Sequence, residues 1–272
     1  MPFKPLTKEE LRTAIEEYCE NDEQKYGNIN DWDVSLITDM SKLFACNKCV
    51  DDCGFKIHNF NHALNNWDVS NVTTMKKMFH GCDEFNQSLS DWNVSNVRNM
   101  SYMFHECADF NQPLNDWNVS NVINMSHMFA RCYTFNQSLN NWNISNVTNM
   151  SYMFNKCYNF NHQLNDWNIN VNANISSMFD KYDIRKYGMF NKLIEMASNY
   201  NTDAIHFLLT NISIMKLMYF SKNKGILQSI GKRYKIELKD FYVKSIINVC
   251  DICYREMKCI ERDNMNICGL CL

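Results

Sequence analysis

The chain has 272 residues, 46% of them hydrophobic and 21% charged, with a formal net charge of -3. That composition excludes a chain too polar to fold and allows one to three domains with packed cores. The near-neutral total hides an asymmetry: residues 1–180 carry 12 Lys/Arg against 21 Asp/Glu, residues 181–249 carry 12 against 5, and residues 250–272 carry 3 against 4. A change of sign of that size marks a domain boundary.

The N-terminus runs Met1-Pro2-Phe3-Lys4-Pro5 into the charged Lys8-Glu9-Glu10 and lacks the apolar stretch of a signal peptide. The longest apolar-rich stretch, Ile205 to Phe220, is short for a membrane span and is interrupted by Asn211, Ser213 and Lys216. The expectation is an intracellular, soluble protein, and a virus-encoded chain acting in a host cytoplasm fits it. The 13 cysteines, an odd number without a secretory signal, point to reduced thiols rather than a disulfide framework.

Residues 1–30 predict a capping helix and lead-in. Leu11, Ile15, Tyr18 and Cys19 make a helical stripe, and Thr7 and Glu10 have the spacing of a capping box. From Trp32 onward the chain repeats. The six tryptophans are Trp32, Trp67, Trp92, Trp117, Trp142 and Trp167, and the last five are spaced by 25 residues, the sign of a stacked-repeat architecture. The first spacing is 35. Its extra residues hold Cys46, Cys49, Cys53 and His58, a pattern compatible with a small zinc loop or with a flexible insertion.

The copy from Trp92 to Asp116 combines two periodicities. Trp92 and Val94 alternate with polar Asp91 and Asn93, as in a short strand with one buried face. Met100, Met103, Phe104 and Cys107 fall at i, i+3, i+4 and i+7, the spacing of one helix face, after the capping residues Ser95 and Asn96. One copy cannot bury that face alone, so neighbours must cover it. Two asparagine series recur in register: Asn71, Asn96, Asn121 and Asn146, and Asn61, Asn86, Asn111, Asn136 and Asn161. They are expected to satisfy turn backbone. Cys82, Cys107, Cys132 and Cys157 occupy apolar positions as small hydrophobes.

The string Trp-Asn-Val-Ser-Asn-Val-x-Asn-Met-Ser-x-Met-Phe-x-x-Cys-x-x-Phe-Asn-Gln-x-Leu resembles the BspA-like leucine-rich repeat proteins of mycoplasmas, protists and large DNA viruses. The resemblance spans roughly residues 5–180, including Thr7 to Leu11 and Trp32 to Ser35. It implies an α/β solenoid: a leucine-rich-repeat-like, right-handed stack of about six 25-residue coils with parallel strands and short helices. It also implies adhesion or protein binding.

The solenoid is expected over residues 31–183; it decays where Val171 to Ile175 replace the usual pattern and Tyr182 stands at the cysteine position. Two surfaces are candidates for a partner. The strand side presents Asp68, Asp91, Asn93, Asp116, Asn118, Asn143 and Asp166, nearly uniform between copies; a solvated sheet edge reads the same way. The other side varies, with Lys77, Tyr102, His127 and Tyr152 at one position, Gly81, Glu106, Arg131 and Lys156 at another, and Asp83, Ala108, Tyr133 and Tyr158 at a third. His80 and His105 read as surface.

Residues 184–249 predict a basic, mostly helical segment. Phe190, Leu193, Ile194 and Ala197 form one stripe; Ile205, Leu208, Leu209, Ile212, Met215 and Met218 form another, capped by Thr202 or Asp203. Lys222, Lys224, Lys232, Arg233 and Lys235 are compatible with phosphate contacts or with a solvated face. Residues 250–272 carry Cys250, Cys253, Cys268 and Cys271 as two CxxC pairs, the donor set of a structural zinc module, with Cys259 as a possible substitute ligand. A RING finger needs more ligands, and no histidine follows His206.

No nucleophile–base pair, phosphate loop or carboxylate pair stands out. The expectation is a non-enzymatic protein-interaction module. The alternatives are a nucleic-acid-associated protein acting through Lys222–Lys235 and the zinc knuckle, or a zinc-finger adaptor in ubiquitin transfer.

Overall fold

A computed structural model describes residues 2–20, 23–45, 59–164 and 166–179, the positions 192, 193, 195, 196, 201 and 204, and the backbone of 259–262 and 265–268. The chain divides into two compact units, residues 1–207 and 208–272.

In the first unit, helix α1 spans Lys8–Cys19 and α2 spans Glu23–Tyr26, followed by a 3-10 turn at Ile29–Asp31. Thr7 starts α1: its hydroxyl accepts from the Glu10 amide at 3.1 Å, and the Glu10 carboxylate accepts from the Leu6 amide at 2.8 Å. The reciprocal bond thus reaches one residue further back than a standard capping box. Leu11, Ala14, Ile15 and Tyr18 are buried, while Cys19 is half-buried. The N-terminus covers the first copy. Phe3 meets Trp32 edge-on at 5.0 Å and its carbonyl accepts from the Asp33 amide. Lys8 reaches Asp39 and Ser41.

From Asp39 to Asn174 the copies stack. Parallel bridges link Asp39 to Thr74, Thr74 to Asn99, Asn99 to Asn124, Asn124 to Asn149 and Asn149 to Asn174. Around each bridge the backbone works in both directions. Arg98 N–H donates to Thr73 on one side, while the amides of Met100, Tyr102, Phe104 and Glu106 donate to Asn124, Ser126, Met128 and Ala130 on the other. The amides that alternate with these close tight turns within the copy: Met103 to Met100, His105 to Tyr102 and Cys107 to Phe104.

Two expectations for the copy change here. The described residues 39–179 hold no α-helix, and the inter-copy pairing sits at Asn99 rather than at Trp92 and Val94. The cause is the backbone at Tyr102 and Glu106, with φ of 60° and 64°. Left-handed residues at the third place of a turn suit a type II turn and stop a right-handed helix. The same two positions are left-handed in other copies: Lys77, His127 and Tyr152, and Gly81, Arg131 and Lys156.

The core is a set of columns. Phe44, Phe79, Phe104, Phe129, Phe154 and Phe179 stack at successive centroid separations of 5.2–5.8 Å. Phe60, Phe85, Phe110, Phe135 and Phe160 form a second column. Each buried ring contributes on the order of 2 kcal/mol before entropy is counted. From Trp67 onward each buried tryptophan donates its indole N–H to a carbonyl of the preceding copy; Trp117 to Leu89 is 3.0 Å and Trp142 to Leu114 is 2.8 Å. The buried thiols of Cys82, Cys107 and Cys132 donate to the carbonyls of Phe44, Phe79 and Phe104. Burial pushes the Cys107 and Cys132 thiols well above the usual range, which keeps them neutral.

Both asparagine series are inter-copy ladders. Asn96 and Asn121 donate side-chain N–H to the carbonyls of Ser70 and Ser95, at 2.7 Å each. The Asn86 and Asn111 side-chain oxygens accept from the amides of Asn111 and Asn136, at 2.9 Å each. At the far end Asn201 donates to the carbonyls of Val171 and Ala173, and Leu193, Met196 and Ala204 are buried.

In the second unit, β1 (Cys259–Arg262) pairs antiparallel with β2 (Met265–Cys268), with Cys259 opposite Cys268. Of the four cysteines read as zinc ligands, Cys268 ends β2, while Cys250, Cys253 and Cys271 lie outside the described residues. So do Cys46, Cys49, Cys53 and His58, and the basic run from Lys222 to Lys235.

Candidate functional site

The asparagine–aspartate row is exposed at all seven positions: Asp68, Asp91, Asn93, Asp116, Asn118, Asn143 and Asp166. Most of it is already engaged in building turns. The side-chain oxygens of Asp68, Asn93, Asn118 and Asn143 accept from the amides of Ser70, Ser95, Ser120 and Ser145 two residues on, at 3.0–3.2 Å. Asp91 accepts from the Asn65 side chain. The first four are Asx turns, which hold backbone polar groups in place, and the Asp91 bond joins two copies.

The variable positions are a different surface. Two of the three positions have left-handed backbone, and the repeat lines up each of the three between copies. Tyr102, His127 and Tyr152 stack as a column, with centroids 4.2 and 4.6 Å apart and planes within 8° and 16°. The Lys77 ammonium lies 5.1 Å over the Tyr102 ring, an arrangement that adds cation–π attraction. Beside this column Tyr133 and Tyr158 stack at 5.7 Å and are 42% and 59% exposed.

A histidine cluster adjoins the column. His80 and His105 occupy the same position in successive copies, and their Nδ1 atoms are 3.1 Å apart. Glu106 places Oε2 3.9 Å from His105 Nδ1, while its Oε1 accepts from Arg131 at 2.5 Å. Among the described residues, His80, His105 and Glu106 bring their ligand-capable atoms within 4.8 Å of one another. Burial, reinforced by His80, His127, Arg131 and Lys77, lowers His105 from 6.5 to about 3, and burial lowers His127 too. The cluster was read from sequence as ordinary surface. The missed signal was that one repeat position filled by histidine twice running puts the two rings side by side.

An open groove of about 800 Å³ near the N-terminal end is lined by Phe3, Lys25, Tyr26, Trp32 and Asn66. Lys25 and Tyr26 both hydrogen-bond Glu17, which holds that carboxyl below its usual range. Among the described residues no helix is long and apolar enough to cross a membrane.

No curated protein and no solved structure matches the chain significantly. A family model does: the one described as "Mycoplasma protein of unknown function, DUF285" matches residues 13–136 and again 92–187, an overlapping pair of matches that reflects the repeat. The two together cover more than half of the chain, which belongs to this mycoplasma family of repeat proteins.

Proposed function

We propose that the repeats are of the BspA-like kind and form a leucine-rich-repeat-like solenoid that acts as a non-enzymatic protein-interaction module. One observation carries the reading: two of the three positions that vary between copies are left-handed, and one of these assembles Tyr102, His127 and Tyr152 into a stacked column beside Tyr133 and Tyr158 of the third. A near-invariant core supplies the frame, and a variable aromatic face flanked by Arg131 and Lys156 supplies contacts typical of interface anchors. The Asp68 to Asp166 row is the weaker candidate, because its oxygens are largely engaged in turns.

The cysteine spacing supports structural zinc at Cys250, Cys253, Cys268 and Cys271, with the β1–β2 hairpin between the two CxxC pairs. That module serves anchoring or recruitment.

The test is affinity capture from host lysate with the full chain and with a Tyr133→Ser/Tyr152→Ser/Tyr158→Ser variant, each with and without nuclease. A nuclease-resistant partner held by the parent and lost by the variant supports the reading. Capture that ignores the tyrosines and disappears with nuclease moves function to Lys222–Lys235.

A further inference from the structure

We propose that His80, His105 and Glu106 form a binding site for a borderline divalent transition ion of the zinc class, clipping two adjacent coils together. The site adjoins the aromatic column of the proposed binding face and uses none of the C-terminal cysteines.

The geometry is that of a preformed ligand set. Two ligands each about 2.1 Å from a tetrahedral zinc ion stand about 3.4 Å apart, and the two Nδ1 atoms are 3.1 Å apart. They come from consecutive coils, so an ion between them bridges positions 25 residues apart in sequence. Glu106 supplies the carboxylate. Arg131 takes Oε1 and so orients the group, while Oε2 lies on the His105 side. Such an outer contact is how proteins fix a carboxylate ligand.

The His105 and Glu106 side chains are 16% and 28% exposed, shielded yet open to an ion. One coil further on, the His127 ring lies with its centroid 6.1 Å from that of His105, outside the three-residue group. Its Nδ1 is buried with no hydrogen-bond partner. Imidazole donors favour zinc, nickel or copper over magnesium or calcium.

The experiment uses the full chain, dialysed against Zn²⁺ and analysed for bound metal, beside His80→Asn, His105→Asn, Glu106→Gln and Cys250→Ser/Cys271→Ser. Each histidine variant is expected to hold one equivalent less than the parent, and the cysteine variant to keep that equivalent. Glu106→Gln, a surface change that spares the core, is expected to weaken zinc binding at the site at least about ten-fold. If a histidine variant fails to melt cooperatively, Glu106→Gln decides. Loading with Co²⁺ separates the donors: this site gives weak visible bands without thiolate charge transfer. Equal zinc in the parent and in the folded histidine and glutamine variants overturns the proposal, as does cobalt absorption that is wholly thiolate in character.

Discussion

Trp117 fills the core with its ring and satisfies the Leu89 carbonyl with its indole N–H. Phenylalanine keeps the first contribution and loses the second. Trp117→Phe is therefore expected to cost about 0.5–1.5 kcal/mol through the lost hydrogen bond, since the Leu89 carbonyl keeps the Trp92 amide as a donor, read as a lower midpoint in urea with an unchanged slope. His105 makes the complementary prediction for pH. Its native pKa is depressed from 6.5 to about 3, so its contribution is complete above 6.5 and is lost as pH falls towards 3, because the unfolded chain takes up the proton first. Melting temperature should drop between pH 7 and pH 4.5, and His105→Gln should flatten the drop; an equal drop in both proteins refutes the assignment. Single residues were unevenly legible. Cys107 and its equivalents read correctly as core, because an apolar pattern surrounds each. His80 and His105 did not, because their partners lie 25 residues away and only the stacking of copies brings the rings together.

The repeat unit shows why periodicity alone misassigns an element. Met100, Met103, Phe104 and Cys107 are all fully buried, as a helix face requires. Successive tight turns bury the same four positions, and the spacing cannot separate the two conformations. What separates them is a left-handed residue at the third place of the turn, and here those residues are Tyr, His, Lys, Glu and Arg rather than the glycine that would announce it. Among the described residues of the repeats, only Gly81 carries the usual signal. A measurable consequence follows at Lys156, with φ of 59°. Lys156→Gly should stabilise by up to about 1 kcal/mol, and Lys156→Val should destabilise by about 1–2 kcal/mol, since a β-branched side chain resists this backbone. Thermal melts of the two variants should move in opposite directions; a shared direction would contradict the turn geometry.

At the scale of the molecule, the ladders of backbone, asparagine and aromatic contacts recur with the same 25-residue period from Trp67 onward. Removing a whole copy, such as residues 117–141, should preserve every ladder and give a cooperative protein of reduced stability. Removing 24 residues instead should misplace each column by one position and abolish the cooperative melt. Circular dichroism melts of the two deletions distinguish these outcomes. The period and the division into core and surface were legible because the tryptophans print them in the sequence. The variable side was legible as a candidate surface, but the stacking of Tyr102, His127 and Tyr152 on left-handed backbone was not.

The most direct measurement places a photo-crosslinking residue at Tyr158 in one full-length protein and at Asn143 in another, each irradiated in host lysate. The account predicts a discrete protein adduct from position 158 and none from position 143. An adduct from position 143 alone would return the binding face to the asparagine–aspartate row and contradict the account.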